Sequence, residues 1–228
     1  MLPLLVDVAK RCPGGKLPES YLIVDTETSG LDKANDYILQ VGMCLVENRK
    51  IQTTIAQIIN RPGVLIHPKA LAINGITPER MEKEGVPVDA YMPWVLDFIR
   101  SMQKTRKMFL GHNILAFDIP LFQKEAERFG QQLPFGSDEM IDTGALVKAA
   151  QLNLSMGPNE SLMDFWKRAT SIRARGVFWS LANHCHTAYN LGKYGVDITK
   201  AHDAGVDCQL VHFLMEELRL MTVMNRTR

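Results

Sequence analysis

The run Tyr21-Leu22-Ile23-Val24 ends abruptly in Asp25-Thr26-Glu27. Side chains in an extended segment alternate faces, so Asp25 and Glu27 emerge on the same side at the end of a buried strand. Any fold that accepts this segment must bring two like charges together at the edge of a core. Such a pair needs a compensating cation, and hard oxygen ligands of this kind suit Mg²⁺ or Mn²⁺.

The chain has 228 residues, enough for one large domain with a full hydrophobic core. We assign that domain to residues 20–228 and read residues 1–19 as an N-terminal extension packed on it. No apolar run reaches the roughly 20 residues of a membrane span, and Pro3 and Asp7 interrupt any secretory core. A cytoplasmic protein without membrane contact is expected. Cys12, Cys44, Cys185 and Cys208 form no CxxC pair, which argues against a disulfide framework and a zinc finger. The formal charge of +1 does not favour a protein that grips long duplex DNA, although one that holds only a strand end needs no basic excess. A local basic tilt at Lys167, Arg168, Arg173, Arg175, Lys193 and Lys200 is either a solvated face or a phosphate-binding rim.

Strand signals cover residues 21–25, 38–46 and 51–59, with Glu47-Asn48-Arg49-Lys50 as a turn, giving an antiparallel meander. Thr77-Pro78-Glu79 is a helix start, and residues 90–102 have helical apolar spacing. A short buried strand at 108–110 leads through Gly111-His112-Asn113 into a helix at 119–129. Beyond Asp142 the pattern is mostly helical, at 143–151, 161–173, 178–189 and 207–221, with a loop at 154–159. Strands first and helices later indicate a mixed sheet flanked by helices.

Two further acidic segments accompany the first. One is Gly111-His112-Asn113-Ile114-Leu115-Ala116-Phe117-Asp118; the other is His202-Asp203-Ala204-Gly205-Val206-Asp207. The ordered set resembles the DnaQ-like 3′–5′ exonucleases of the DEDDh type, over roughly residues 21–217. Gly75-Ile76-Thr77 and Ile141-Asp142-Thr143 are similar to secondary landmarks of that family, while Asn74 stands where the family usually has histidine. The histidine branch is indicated because Asp203, not tyrosine, lies four residues before Asp207. The resemblance implies a ribonuclease H-like α/β domain, with a five-stranded mixed sheet flanked by α-helices.

It also implies that Asp25, Glu27, Asp118 and Asp207 hold two divalent ions, Mg²⁺ or Mn²⁺, with His202 as general base. Thr28, Leu31, His112, Asn113 and Phe117 would hold the terminal nucleotide. Physical chemistry agrees: phosphodiester hydrolysis needs an activated water and help for the leaving oxygen, and two ions about 4 Å apart provide both. A histidine with a reference pKa of about 6.5 is largely neutral at working pH. On an ideal helix, positions 202 and 207 are about 140° apart, so His202 must sit on the loop before the helix. Asp203 reads as a helix cap in preference to a ligand.

Other signals have plainer readings. His184-Cys185-His186 with Cys208 and His212 has no finger spacing and reads as buried structure. Phe117, Phe122, Trp166, Phe178 and Trp179 read individually as core packing in preference to base stacking. The expected activity is release of nucleoside 5′-monophosphates from single-stranded DNA 3′ ends. RNA trimming is the enzymatic alternative, and a non-catalytic nucleic-acid-binding or polymerase-binding module is the alternative from another class. A polymerase or repair partner is compatible with either, and the sequence leaves the oligomeric state open.

Overall fold

Tyr21 to Val24 are fully buried within strand β1 (Tyr21–Thr28), because both of its faces are covered. Tyr21 and Ile23 join one apolar cluster, and Leu22 and Val24 join another on the opposite face. The computed structural model describes residues 1–224; the last four residues of the 20–228 domain lie outside the described residues. β1 pairs antiparallel with β2 (Ile38–Glu47), which pairs antiparallel with β3 (Lys50–Asn60). The β2–β3 turn carries Asn48 and Arg49 at φ 49° and 65°, the two left-handed residues that a tight hairpin matched to strand twist demands.

On its other side β1 pairs parallel with β5 (Met108–Gly111), and β5 pairs parallel with β6 (Met140–Asp142). A two-residue strand β4 (Val86–Pro87) is added parallel to β3 at the far edge. The sheet order is β4-β3-β2-β1-β5-β6. The expected five strands are thus six, because the chain between helices brushes the β3 edge for two residues. The chain leaves β1 toward β2 and β3 on one side and returns as β5 and β6 on the other, so the strand order reverses at β1, and ligands of open α/β sheets bind outside the carboxyl ends of strands at such a point.

Helix α1 (Leu2–Arg11) packs Leu4, Leu5 and Val8 into the first cluster, so residues 1–19 contribute to the core. Helix α2 (Pro68–Asn74) is absent from the sequence reading, although Pro68 at its start and Gly75 at φ 63° just past its end are recognisable start and stop signals. Helix α3 (Pro78–Glu84) begins as expected, with the Thr77 hydroxyl accepting from the Arg80 amide. Helices α4 (Val88–Lys104) and α5 (Asp118–Arg128) cover one sheet face. Helices α6 (Thr143–Gln151) and α7 (Leu162–Ser171) lie on the other, with Trp166 fully buried and its indole N–H donating to Met140 O.

The helix expected at 178–189 reduces to a wide π turn over Leu181–Cys185 and a short α8 (His186–Ala188). The reason is local. The Phe178 amide and carbonyl bond to the Gln151 side chain, and the Trp179 carbonyl accepts from His112, so these backbone groups are engaged sideways and cannot start a ladder. Helix α9 (Ala204–Met224) starts three residues earlier than its apolar pattern suggests and packs along β1 and β2. Among the described residues no helix is long and apolar enough to cross a membrane.

Candidate active site

Alternation along β1 turns Asp25 and Glu27 toward α9, on the face of Tyr21 and Ile23. Asp25 faces Gly42 across the β1–β2 pair, and Glu27 faces Gln40. Gly42 lets α9 come down onto the sheet: a Cβ there would lie 2.2 Å from the Ala204 carbonyl oxygen. Gln40, buried within β2, clamps the same helix start, accepting from the Ala204 amide at 3.0 Å and donating to Asp203 at 2.8 Å. The other Asp203 oxygen accepts from the Gly205 and Val206 amides, so Asp203 caps α9.

This docking delivers Asp207, in the first turn of α9, to Glu27. His202 occupies the preceding turn at φ 68°, a left-handed conformation unfavourable for a non-glycine residue, and its ring is exposed. Ligand atoms of Glu27, His202 and Asp207 lie within 4.8 Å of one another. Gly42→Ala tests the docking. Pushing α9 off β2 should cost about 1–3 kcal/mol, the usual scale of overpacking, and lower the melting temperature by several degrees. An unchanged melting temperature would show that the helix start has slack.

Asp118 reaches the site from the opposite face, at the N-terminus of α5. Thr26, alternating away from Asp25 and Glu27, donates its hydroxyl to Asp118 Oδ1 at 2.6 Å. The loop between β5 and α5 is pinned by buried Asp142, which accepts from the Asn113, Leu115 and Ala145 amides. Asn74 donates to the Thr28 carbonyl at 3.1 Å and hydrogen-bonds Glu27, so the residue standing in place of histidine steadies this end of β1. Thr26, Gln40, Gly42 and Asn74 were not read from the sequence as positioning residues. A buried glutamine within an apolar strand was the available signal.

Gathering four acids at one end of β1 carries an electrostatic cost. Burial, followed by the charges of Asp118, Asp207 and Glu27, holds Asp25 well above the usual carboxylate range. Burial and the Asp207 charge raise Glu27 to about 9, against the hydrogen bond from Asn74. Burial raises Asp118 to about 7, against the Thr26 hydrogen bond, and raises Asp207 to about 6, against the charge of His202. Desolvated like charges of this kind are relieved by a multivalent cation. The donor set therefore fits a divalent ion, chiefly through oxygen.

The expected nucleotide-holding residues are distributed around this edge. Leu31 is 83 % exposed on the loop after β1. Thr28 is buried, with its hydroxyl donating to Gly30 O. Asn113 sits at φ 67°, and Phe117 is half-buried immediately before Asp118. His112 is committed to the protein. Its Nε2–H donates to the Trp179 carbonyl and its Nδ1 lies 3.0 Å from the Thr143 hydroxyl, with burial lowering it to about 4 and keeping it neutral.

Phe122 and Trp166 are core residues, Phe117 and Trp179 are half-buried, and Phe178 is exposed. None of His184, Cys185, His186, Cys208 and His212 joins a metal-binding group among the described residues; His212 Nδ1 meets the Tyr21 hydroxyl at 2.9 Å, and all four cysteines are free and buried.

A mixed sheet with acids gathered at the carboxyl end of its switch-point strand defines a ribonuclease H-like nuclease domain of the DnaQ-like 3′–5′ exonuclease class. The RNase_T family model, described as Exonuclease, matches residues 22–212, and the chain belongs to that family. It is 24% identical over 151 residues to the PolC-type DNA polymerase III of Caldanaerobacter subterraneus, covering 66% of this chain and 10% of that protein. It is 26% identical over 137 residues to ribonuclease T of Blochmanniella pennsylvanica, covering 55% of this chain and 63% of that protein. Among solved structures, E. coli exonuclease I in complex with an oligonucleotide superposes with a TM-score of 0.65 at 17% identity, covering 90% of this chain and 41% of that one. The chain thus spans about a tenth of the PolC-type relative and less than two thirds of the other two.

Proposed function

We propose that this chain is a metal-dependent 3′–5′ exonuclease of the DEDDh type that releases nucleoside 5′-monophosphates from single-stranded DNA ends. The observation that carries the proposal is the convergence of Glu27, His202 and Asp207 within 4.8 Å, beside Asp25 on the same strand face. Two Mg²⁺ or Mn²⁺ ions held by Asp25, Glu27, Asp118 and Asp207 would lower the pKa of the attacking water and stabilise the departing 3′ oxygen. Asp25, whose carboxyl feels both Asp118 and Asp207, would contribute to holding the ions, and Asp118, steadied by the Thr26 hydroxyl, would contribute beside it. His202 takes the proton of the attacking water on a ring nitrogen, and its position on a turn lets the ring approach and withdraw without moving α9.

Leu31 projects far enough to wedge against the terminal base. The Thr28 to Leu31 backbone, Asn113 and Phe117 hold the nucleotide, and His112 supports them from behind through Trp179 and Thr143. The PolC-type relative and exonuclease I favour DNA, and the PolC-type relative also suggests a polymerase partner. Similarity to ribonuclease T favours RNA trimming as the second reading. Four reduced thiols suit a cytoplasmic setting.

The test is digestion of 5′-labelled single-stranded DNA and RNA of matched sequence with Mg²⁺, Mn²⁺ or EDTA. A metal-dependent ladder shortening from the 3′ end is expected, with DNA degraded faster. Absence of cleavage with every metal would leave only a non-catalytic binding module. His202→Ala should lower kcat by roughly 10²-fold or more while leaving DNA binding nearly unchanged. Equal losses in binding and rate would remove His202 from the general-base role.

A further inference from the structure

Lys148, on α6, is only 7% exposed, and no carboxylate pairs with it among the described residues. Its Nζ donates to the Thr170 carbonyl at 2.8 Å, near the end of α7, and lies 5.8 Å from the Trp179 ring centroid. A buried charge is costly unless an opposite charge accompanies it. A carbonyl and a ring face solvate this ammonium without neutralising it.

The amine borders a cavity of about 450 Å³ that is also lined by Arg173, Val177 and Trp179. Arg173 is exposed, Arg175 follows two residues later, and neither has an acidic partner among the described residues. The rest of the basic tilt in this region is partly neutralised: Arg168 pairs with Glu160, and Lys193 pairs with Glu217. Two cations without an acidic partner among the described residues, Lys148 and Arg173, therefore meet at this cavity.

Trp179 connects the cavity to the catalytic edge. Its carbonyl accepts from His112, the two rings lie 6.0 Å apart, and a Cβ on Gly144 would meet both Asn113 N and the Trp179 ring. The cavity thus lies directly behind the loop that delivers Asn113, Phe117 and Asp118. Capping of the α7 carbonyls by a lysine would explain the Thr170 contact. It does not explain a second cation and an open cavity at the same place.

We propose that this cavity is a backbone-phosphate subsite, in which Lys148 and Arg173 bind a phosphodiester of the single strand upstream of the scissile 3′ end. The inference rests on the exonuclease reading and adds a path for the strand that the family's catalytic motifs do not supply. A phosphate bridges two donors that are each left without an anion, and the phosphodiester is common to DNA and RNA.

The test measures anisotropy of 5′-fluorescein-labelled dT12 with the full chain in EDTA, across a salt series, alongside hydrolysis of dT12 and of dT2 with Mn²⁺. For single strands each phosphate contact contributes about 0.7 to the slope of log affinity against log salt. Lys148→Gln and Arg173→Gln should each lower the slope by about that amount, whereas Lys104→Gln, at the end of α4, should leave it unchanged. In hydrolysis, both cavity variants should raise KM for dT12 several-fold, with kcat unchanged and dT2 unaffected.

Unchanged slopes for Arg173→Gln and Lys148→Gln, with hydrolysis intact, would overturn the subsite. So would a Lys148→Gln defect equal on dT12 and dT2, with no effect of Arg173→Gln, because that pattern is a lost helix cap. Failure of the unsubstituted chain to hydrolyse either oligonucleotide would instead overturn the exonuclease reading, while the anisotropy slopes would still report on the cavity.

Discussion

Asp25→Asn is expected to lower kcat on single-stranded DNA by on the order of 10³-fold or more, the scale seen when a group that stabilises transition-state charge is removed. The substitution preserves shape and leaves the β1–β2 register intact, including the Gly42 partner that lets α9 dock. What changes is the charge at the one position whose carboxyl feels Asp118, Asp207 and Glu27 together. Asp118 and Asp207 arrive from opposite faces of the sheet, and Asp25 is the carboxyl on β1 that feels both. In EDTA at pH 8 the same variant should melt at a higher temperature, because asparagine avoids the cost of either charging or protonating a carboxyl held among Asp118, Asp207 and Glu27. The paired outcome, lower activity with higher metal-free stability, distinguishes a ligand from a packing residue. Activity within tenfold of the parent, or a lower melting temperature, would remove Asp25 from the centre of the site.

The candidate site residues were legible in the sequence because their pattern is local. Asp25 and Glu27 follow from strand alternation, and the turn placement of His202 follows from the 140° problem on a helix. Their supports were not legible, because each depends on a long-range approach. Gly42 matters only because the Ala204 carbonyl descends onto it, Thr26 because α5 begins beside it, and Gln40 because α9 starts above β2. The error at 178–189 has the same origin. Residues with ordinary helical spacing were diverted when Gln151 and His112 claimed the backbone of Phe178 and Trp179. β4 and β6 were both missed because two and three residues carry no periodicity.

The second large effect is the linkage between metal, protons and stability. Asp25 and Glu27 hold their protons more tightly in the folded chain than in the unfolded one, Asp25 well above the carboxylate range and Glu27 up to about 9. Asp118, at about 7, acts in the same sense at the lower end of the range. Between pH 7 and 8.5 the native state therefore binds more protons than the unfolded state, and metal-free stability should fall as pH rises. His112 and His212, both lowered by burial, act in the opposite sense below pH 6.5, so the window begins above them. Divalent ions compete with the same protons. A ligand at 1,000 times its Kd adds about 4 kcal/mol, equivalent to roughly 8–16 °C for a chain of this size. Millimolar Mn²⁺ should therefore raise the melting temperature by about 10 °C at pH 8.5, by less at pH 7, and by little in Asp25→Asn. Calorimetric titration in buffers of different ionisation enthalpy should show protons released on binding. A melting temperature that rises with pH in EDTA and ignores Mn²⁺ would mean that the four acids are neutralised within the protein and hold no ion.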